Sequence, residues 1–248
     1  MNAAPQLSVI VPAYNGERHI AEAIASVRQQ GHPTMEIIVV DDGSTDGTAQ
    51  VVRSLAGPDL IYVHQANAGP AAARNHGVKL ARAPIIAFID ADDIWTPDRI
   101  ATQWPYMSPD SGIDVVLGLL QYFRESADAP GGREIVDPFF LFVVGCGLYR
   151  REVFDRTGML PEDMQFAEDV DWFNRMRESG IAIKVLDSVA VLYRRHEGNM
   201  TRRQDPARRG FIDAVHRSLV RRRTASGGSI EHLKGLNLPP GSSREERR

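Results

Sequence analysis

Short runs of Val and Ile alternate with amphipathic stretches through the first half of the chain, and this alternation restricts the fold more than any other feature. Residues 7–11 (LSVIV), 36–40 (EIIVV), 60–64 (LIYVH) and 85–89 (IIAFI) have the length and β-branched content of strands. Between them HIAEAIASVRQQ, TDGTAQVVRSLA and PAAARNHGVKLARA carry apolar residues at helical spacing, with Gly31, Gly57 and Pro84 as stops. Repeats of strand, helix and strand predict a parallel sheet with helices on its faces, and the nearly unbroken apolar strands predict burial on both sides. Ligands on such sheets gather at the carboxyl ends of the strands. Three of the four strands end in polar clusters, PAYNGE, DDGSTD and DADD, so those ends are expected to face one crevice.

The second half is less regular. Residues 114–123 read as another strand, followed by the Gly/Pro-rich loop SADAPGGRE; residues 137–158 then run from an apolar strand into a short helix. A helix begins near Ala167 and closes at Gly180, and IAIKVL and SVAVLYR read as two strand pieces. From Thr224 onward no apolar periodicity remains, which predicts a mobile tail. The expected organisation is one α/β domain over residues 1–223 and a tail over 224–248. Within the domain, residues 1–110 form the regular half and residues 111–223 a less regular half ending in an Arg-rich helix.

Composition narrows the class of protein. A chain of 248 residues with 43% hydrophobic and 25% charged residues is globular, not disordered or a coiled coil. The single cysteine, Cys146, cannot form an internal disulfide and fits a reducing compartment; set in an apolar run between Gly145 and Gly147, it reads as a packing residue. No run reaches the roughly 18 to 20 apolar residues a spanning helix needs, and the N-terminus lacks a leader pattern, so a cytoplasmic protein is expected. The net charge is −3, yet ten arginines fall between Arg194 and Arg223. Such a run is either a solvated helix face or a surface for phosphates or anionic lipid.

FIDADDIW raises the chemical question, because it crowds Asp90, Asp92 and Asp93 behind an apolar strand. A capped turn, with Asp93 or Thr96 as N-cap before Pro97, explains one acid but not three. Turn chemistry similarly accounts for Ser44, Thr45 and Asp46 in DDGSTDGT but leaves Asp41 and Asp42. Clustered carboxylates resist full ionisation and invite a cation. Oxygen ligands select Mg²⁺ or Mn²⁺, which are usually shared with the phosphates of a substrate.

SVIVPAYN, VVDDGSTDGT, NAGPAAARNHGV, FIDADD and AEDVDWFNR, in that order, resemble the family 2 glycosyltransferases over about residues 7–201. The resemblance implies a GT-A fold, a mainly parallel nucleotide-sugar-binding sheet flanked by helices over residues 1–110 and continuous with an acceptor-binding, catalytic half over residues 111–223, where Gly145 and Gly147 would let an acceptor approach the backbone. It implies an inverting, metal-dependent transferase of hexosyltransferase type that moves one sugar from a nucleotide-diphosphate sugar, with UDP the favoured nucleotide, to an acceptor hydroxyl. By the same resemblance Pro12, Ala13 and Tyr14 line the base pocket, Asp42 accepts from the base edge, Arg74 approaches the diphosphate and Asp90 holds the ribose. Asp92, Asp93 and His196 are the candidate ligands for Mn²⁺ or Mg²⁺, with Arg194 and Arg195 beside the diphosphate. Asp169 is the candidate base, with Glu168 orienting the acceptor or raising the pKa of its neighbour. Trp95, Trp104 and Trp172 read as wall or core residues, with Trp172 also able to stack on a sugar ring.

Two other functions remain open on sequence. A nucleotidyltransferase uses paired acids and Mg²⁺ on a related sheet. A non-enzymatic module would use the Arg-rich segment to bind phosphates or an anionic membrane surface. Nucleic acid is disfavoured because no aromatic residues interleave with those arginines, and a dinucleotide-dependent dehydrogenase because PAYNGE replaces the G-x-G-x-x-G turn. The absence of a Q-x-x-R-W motif argues for transfer of one sugar at a time over processive synthesis. The donor sugar, the acceptor and the oligomeric state have no sequence signature.

Overall fold

The structure is a computed structural model that describes residues 4–31, 34–125, 132–199, 204–225, 236 and 238. The first four strands form where expected: β1 (Leu7–Ala13), β2 (Met35–Asp42), β3 (Leu60–Gln65) and β4 (Ile85–Phe88), pairing in parallel in the order β3-β2-β1-β4. Every residue of β1 is buried because helices cover both faces of the sheet. The helices are α1 (Ile20–Arg28), α2 (Thr48–Ser54) and α3 (Pro70–Leu80). α3 begins with Gly69 at φ 93° and Pro70 in its first turn. It lies so close to β1 that a Cβ on Gly77 would stand 2.4 Å from Ile10 Cγ2.

β5 (Ile94–Trp95) was not legible in the sequence and pairs antiparallel with β9 (Ile183–Arg194). The turn at 93–98 is therefore not the helix cap expected at Asp93 or Thr96. The Thr96 hydroxyl donates to the Val189 carbonyl, and Asp98 is the N-cap of α4 (Arg99–Gln103).

The sheet continues through β8 (Gly147–Arg150) and β6 (Val115–Glu125), with β7 (Arg133–Ile135) paired to β6; nine strands thus form one sheet among the described residues. β8 is antiparallel to both β4 and β6, whereas β6 and β9 are parallel. The two strand pieces expected after Gly180 are one strand, β9, because register shifts opposite Leu117–Leu120 absorb the break in alternation. Within residues 137–158, strand leads into helix as expected at Gly147–Arg150 and Arg151–Thr157, whereas the apolar run before them forms only an isolated bridge at Phe139 and a 3-10 turn at Val144–Cys146.

α5 (Arg151–Thr157), α6 (Glu168–Glu178) and α7 (Gln204–Ala225) complete the fold. α7 includes Thr224 and Ala225, so helix runs past the expected start of the tail; the rest of that tail, apart from residues 236 and 238, lies outside the described residues, as do Met200 and Thr201. Trp172 is fully buried against Phe154 and Tyr149, and its Nε1 donates to Thr157 Oγ1 and to the Gly158 carbonyl. It is a core residue and faces no sugar. Trp95 is likewise buried, beneath the Arg99 guanidinium. Gly145 and Gly147 serve packing: their carbonyls accept from Arg99, and a Cβ on Gly147 would collide with Tyr149 at 2.5 Å.

Candidate active site

The polar ends of β1 and β2 are knitted together first. Asn15, at φ 52°, receives the Thr45 N–H on its side-chain oxygen and donates its own N–H to Ser44, while Gly16 donates to Thr48. Asp41 accepts from the Ser44 N–H and the Tyr62 hydroxyl, which makes it a structural acid, and burial with that contact pushes the Tyr62 phenol up to about 12. Asp42 is buried and accepts from Gln65, Ala68 and Gly69, which fixes the turn into α3. Two carboxylate oxygens offer about four lone-pair sites, so one acceptor position is left for a ligand. Pro12 and Ala13 are buried at the tip of β1, whereas Tyr14 is 56% exposed beside them.

Arg74 does not stand free for a diphosphate. It is buried, and its two terminal nitrogens donate at 2.7 Å each to Asp90 after β4 and to Glu168 at the start of α6. One guanidinium thus ties the acid after β4 to the acid beside the candidate base.

The DADD acids divide by exposure. The Asp92 side chain is 30% exposed and Asp90 29%, whereas Asp93 is 2% exposed and accepts the backbone N–H of Arg194. Burial first, then the Asp92 and Asp90 charges, raise the Asp93 carboxyl well above the usual carboxylate range. His196 Nε2 lies 2.9 Å from Asp92 Oδ2, and its Nδ1 accepts the Gly198 N–H at 3.1 Å. That pattern leaves the ring proton on Nε2, donated to Asp92.

Sequence reasoning missed three neighbours, since only the fold brings them together. Asn199 accepts the His196 N–H and donates to the Arg194 carbonyl. The His19 ring stands 5.3 Å from that of His196, with its pKa lowered by burial and then by Arg194. Glu22 of α1 pairs with Arg194, which also pairs with Glu125 and donates to the Asp92 carbonyl. Arg194 is therefore a buried strut, and the Arg195 guanidinium lies over Tyr122.

Asp169 is half-buried in the first turn of α6, where its carboxylate accepts the Val170 N–H and complements the helix dipole. Burial and then the Glu168 charge push its pKa up to about 7, and Arg74 opposes the rise. The residue before the helix, Ala167, adopts a left-handed conformation at φ 59°, a costly geometry for a residue with a side chain. α7 leans on this turn: a Cβ on Gly210 would stand 2.6 Å from the Phe166 carbonyl oxygen. Cys146 is buried and its thiol is pushed up to about 12, as suits a packing residue and not a nucleophile.

No preformed cluster of three or more His, Cys, Asp or Glu groups exists among the described residues. The donor set nevertheless fits a hard cation, because Mg²⁺-type sites often use one or two carboxylates and leave the remaining positions to phosphates and water. Asp92 and Asp90 are the partly exposed oxygen donors, and Asp90 is already engaged by Arg74. Ligation by His196 Nε2 would require its Nδ1 to give up the Gly198 contact.

Residues 8–196 match the family model described as Glycosyl transferase family 2. The chain is 30% identical over 220 residues to the uncharacterized glycosyltransferase EpsJ of Bacillus subtilis, covering 79% of this chain and 63% of that protein. It is 28% identical over 224 residues to the uncharacterized glycosyltransferase YibD of Escherichia coli, covering 82% and 65%. The matches thus span less than two thirds of either relative's length. Among solved structures, S. aureus TarS 1–349 in complex with UDP-GlcNAc superposes with a TM-score of 0.73 at 24% identity, over 91% of this chain and 68% of that one. The mannosyltransferase PcManGT from Pyrobaculum calidifontis, in complex with GDP-Man and Mn²⁺, superposes at 0.69 and 21% identity, over 88% and 65%. These likenesses establish the GT-A fold that the sequence motifs imply.

Proposed function

This chain belongs to glycosyl transferase family 2, and on that premise we propose that it transfers one sugar, with inversion, from a nucleotide-diphosphate sugar to an acceptor hydroxyl. The observation that carries the reading is the Arg74 bridge, which holds Asp90 and Glu168, the neighbour of Asp169, on one guanidinium. The sugar nucleotides held by TarS and PcManGT support a donor of that class, and UDP is the nucleotide we favour. The continuous sheet supports treating residues 1–223 as one catalytic unit.

Tyr14 and the spare acceptor position of Asp42 would meet the base, and Asp90, already oriented by Arg74, would receive the ribose hydroxyls. Asp92 would hold Mg²⁺ or Mn²⁺ with His196 fixing its carboxylate, while Asp93 supports the turn from behind. When bound, the cation supplies Lewis-acid stabilisation of the departing diphosphate. Asp169 takes the proton from the acceptor hydroxyl as that oxygen attacks the anomeric carbon and the bond to the diphosphate breaks. A carboxylate whose pKa lies near neutrality serves this step better than an ordinary one. Glu168, held by Arg74, keeps a negative charge beside Asp169 and orients the helix start.

Thermal stabilisation by a panel of nucleotide sugars with Mn²⁺, followed by transfer assays and determination of the product anomer, tests the reading. A product with retained configuration would remove inversion. Release of pyrophosphate in place of a nucleoside diphosphate would identify a nucleotidyltransferase.

A further inference from the structure

The Arg-rich segment has no part in the chemistry above, yet its helix is built with two distinct faces. α7 packs on α6 through buried Ala214 and Ser218, and ion pairs from Arg217 to Asp163 and from Arg221 to Asp171 and Glu178 lock that side. The adjoining side, beginning next to Ser218, carries Phe211 (53% exposed), Ile212 (58%), Val215 and Leu219 at spacings of one, three and four residues, an apolar stripe. Exposed Arg208 continues its line one turn before Ile212, and exposed Arg209 and Arg223 lie along its outer edge. A helix of 22 residues is about 33 Å long, and none of the described helices is apolar enough to cross a membrane.

We propose that α7 lies flat on an anionic lipid surface, with Phe211, Ile212, Val215 and Leu219 entering the headgroup boundary and Arg208, Arg209 and Arg223 meeting lipid phosphates. An apolar stripe rimmed by arginine is the pattern of an interfacial helix. A second copy of the chain is a poor occupant, because two-fold pairing of this face would set one arginine rim against another. Residues 226–248 are no better matched: they carry four basic and three acidic residues, so they bring no acidic complement. Docked in this way, the enzyme would have its lipid-facing helix resting on the Phe166–Ala167 turn that carries α6 and Asp169.

The test is co-sedimentation of the full chain with phosphatidylcholine vesicles and with vesicles in which part of that lipid is replaced by phosphatidylglycerol. Pelleting should depend on phosphatidylglycerol and weaken as salt rises. It should be lost in F211S/I212S/L219S, and its affinity should fall by more than tenfold in R208Q/R209Q/R223Q, at about fivefold per arginine. The arginine variant should keep the wild-type melting temperature, and circular dichroism checks that α7 persists in the serine variant, where Phe211 and Leu219 are 53% and 36% exposed in the wild type. Equal recovery with both lipids, or pelleting unchanged in the variants, would overturn the proposal. So would a wild-type dimer that the serine variant converts to monomer. Protease protection of residues 226–248 in the absence of vesicles, lost in the serine variant, would instead assign the stripe to that segment.

Discussion

Arg74 donates to Glu168 at 2.7 Å across 94 residues of chain, and this contact joins the half of the sheet that reads as nucleotide-binding to the helix that carries the candidate base. The same guanidinium holds Asp90, so it is a positioning group for both sides of the proposed reaction.

Removing it should therefore do two separable things. Arg74→Ala strands two carboxylates at a buried site, and losing one partner of such a pair typically costs about 3–5 kcal/mol. It also removes a positive charge that holds the Asp169 pKa down, so the acidic limb of the pH–rate profile should move to higher pH. Arg74→Lys should recover stability partly and fork geometry poorly. A pH profile identical to wild type in the surviving Arg74→Lys enzyme would count against the electrostatic role.

Asp169 itself should set that limb. With a pKa of about 7, the carboxylate is protonated below neutrality, so transfer should fall as pH drops through 7. Asp169→Asn should slow transfer roughly 100- to 10,000-fold. Stability has its own sign: between the unfolded pKa near 4 and the folded value, the native state binds the extra proton, so this group weakens the fold as pH rises over that window. Asp169→Asn should consequently melt higher than wild type at pH 8 and show no such gain at pH 4.

The DADD acids should not be equivalent. Asp92→Ala should abolish Mn²⁺-dependent stabilisation by a nucleotide sugar, and His196→Ala should weaken it by about 10- to 100-fold, as expected for a group that orients a ligand. Asp93→Asn keeps an acceptor for the Arg194 N–H and should lose less than Asp92→Ala. Isothermal titration with Mn²⁺ and UDP measures all three, and a larger loss for Asp93→Asn would reverse the assignment.

Trp172→Ala should destabilise the protein by about 3–5 kcal/mol through the cavity it leaves. The acceptor KM of the folded fraction should stay put, because the indole is walled in by Phe154 and Tyr149.

Gly210→Val should push α7 away from the Phe166 carbonyl and disturb the turn before Asp169. The expected signature is a lower kcat with an unchanged donor KM, measured alongside circular dichroism to confirm that α7 persists.

The parallel part of the fold was legible because β1 to β4 are Val- and Ile-rich and punctuated by Gly and Pro. β5 was not, since two residues carry no periodicity, and the bulged β9 broke the alternation on which strand reading depends. Acid clusters on the strand ends marked the candidate site, but their partners did not show: Arg74 reads as a phosphate group's neighbour until Glu168 is folded against it. Glu22 and His19 carry no motif and reach the site through the contacts of α1 and its N-cap with Arg194 and His196, and Asn199 reaches it through the turn that follows β9.

The Arg74 clasp also bears on how such enzymes diversify. Because the clasp ties the loop after β4 to the first turn of α6 while paired strands carry the rest of the join, exchanges confined to loops of the second half should leave Asp90 and Asp169 in the same mutual position.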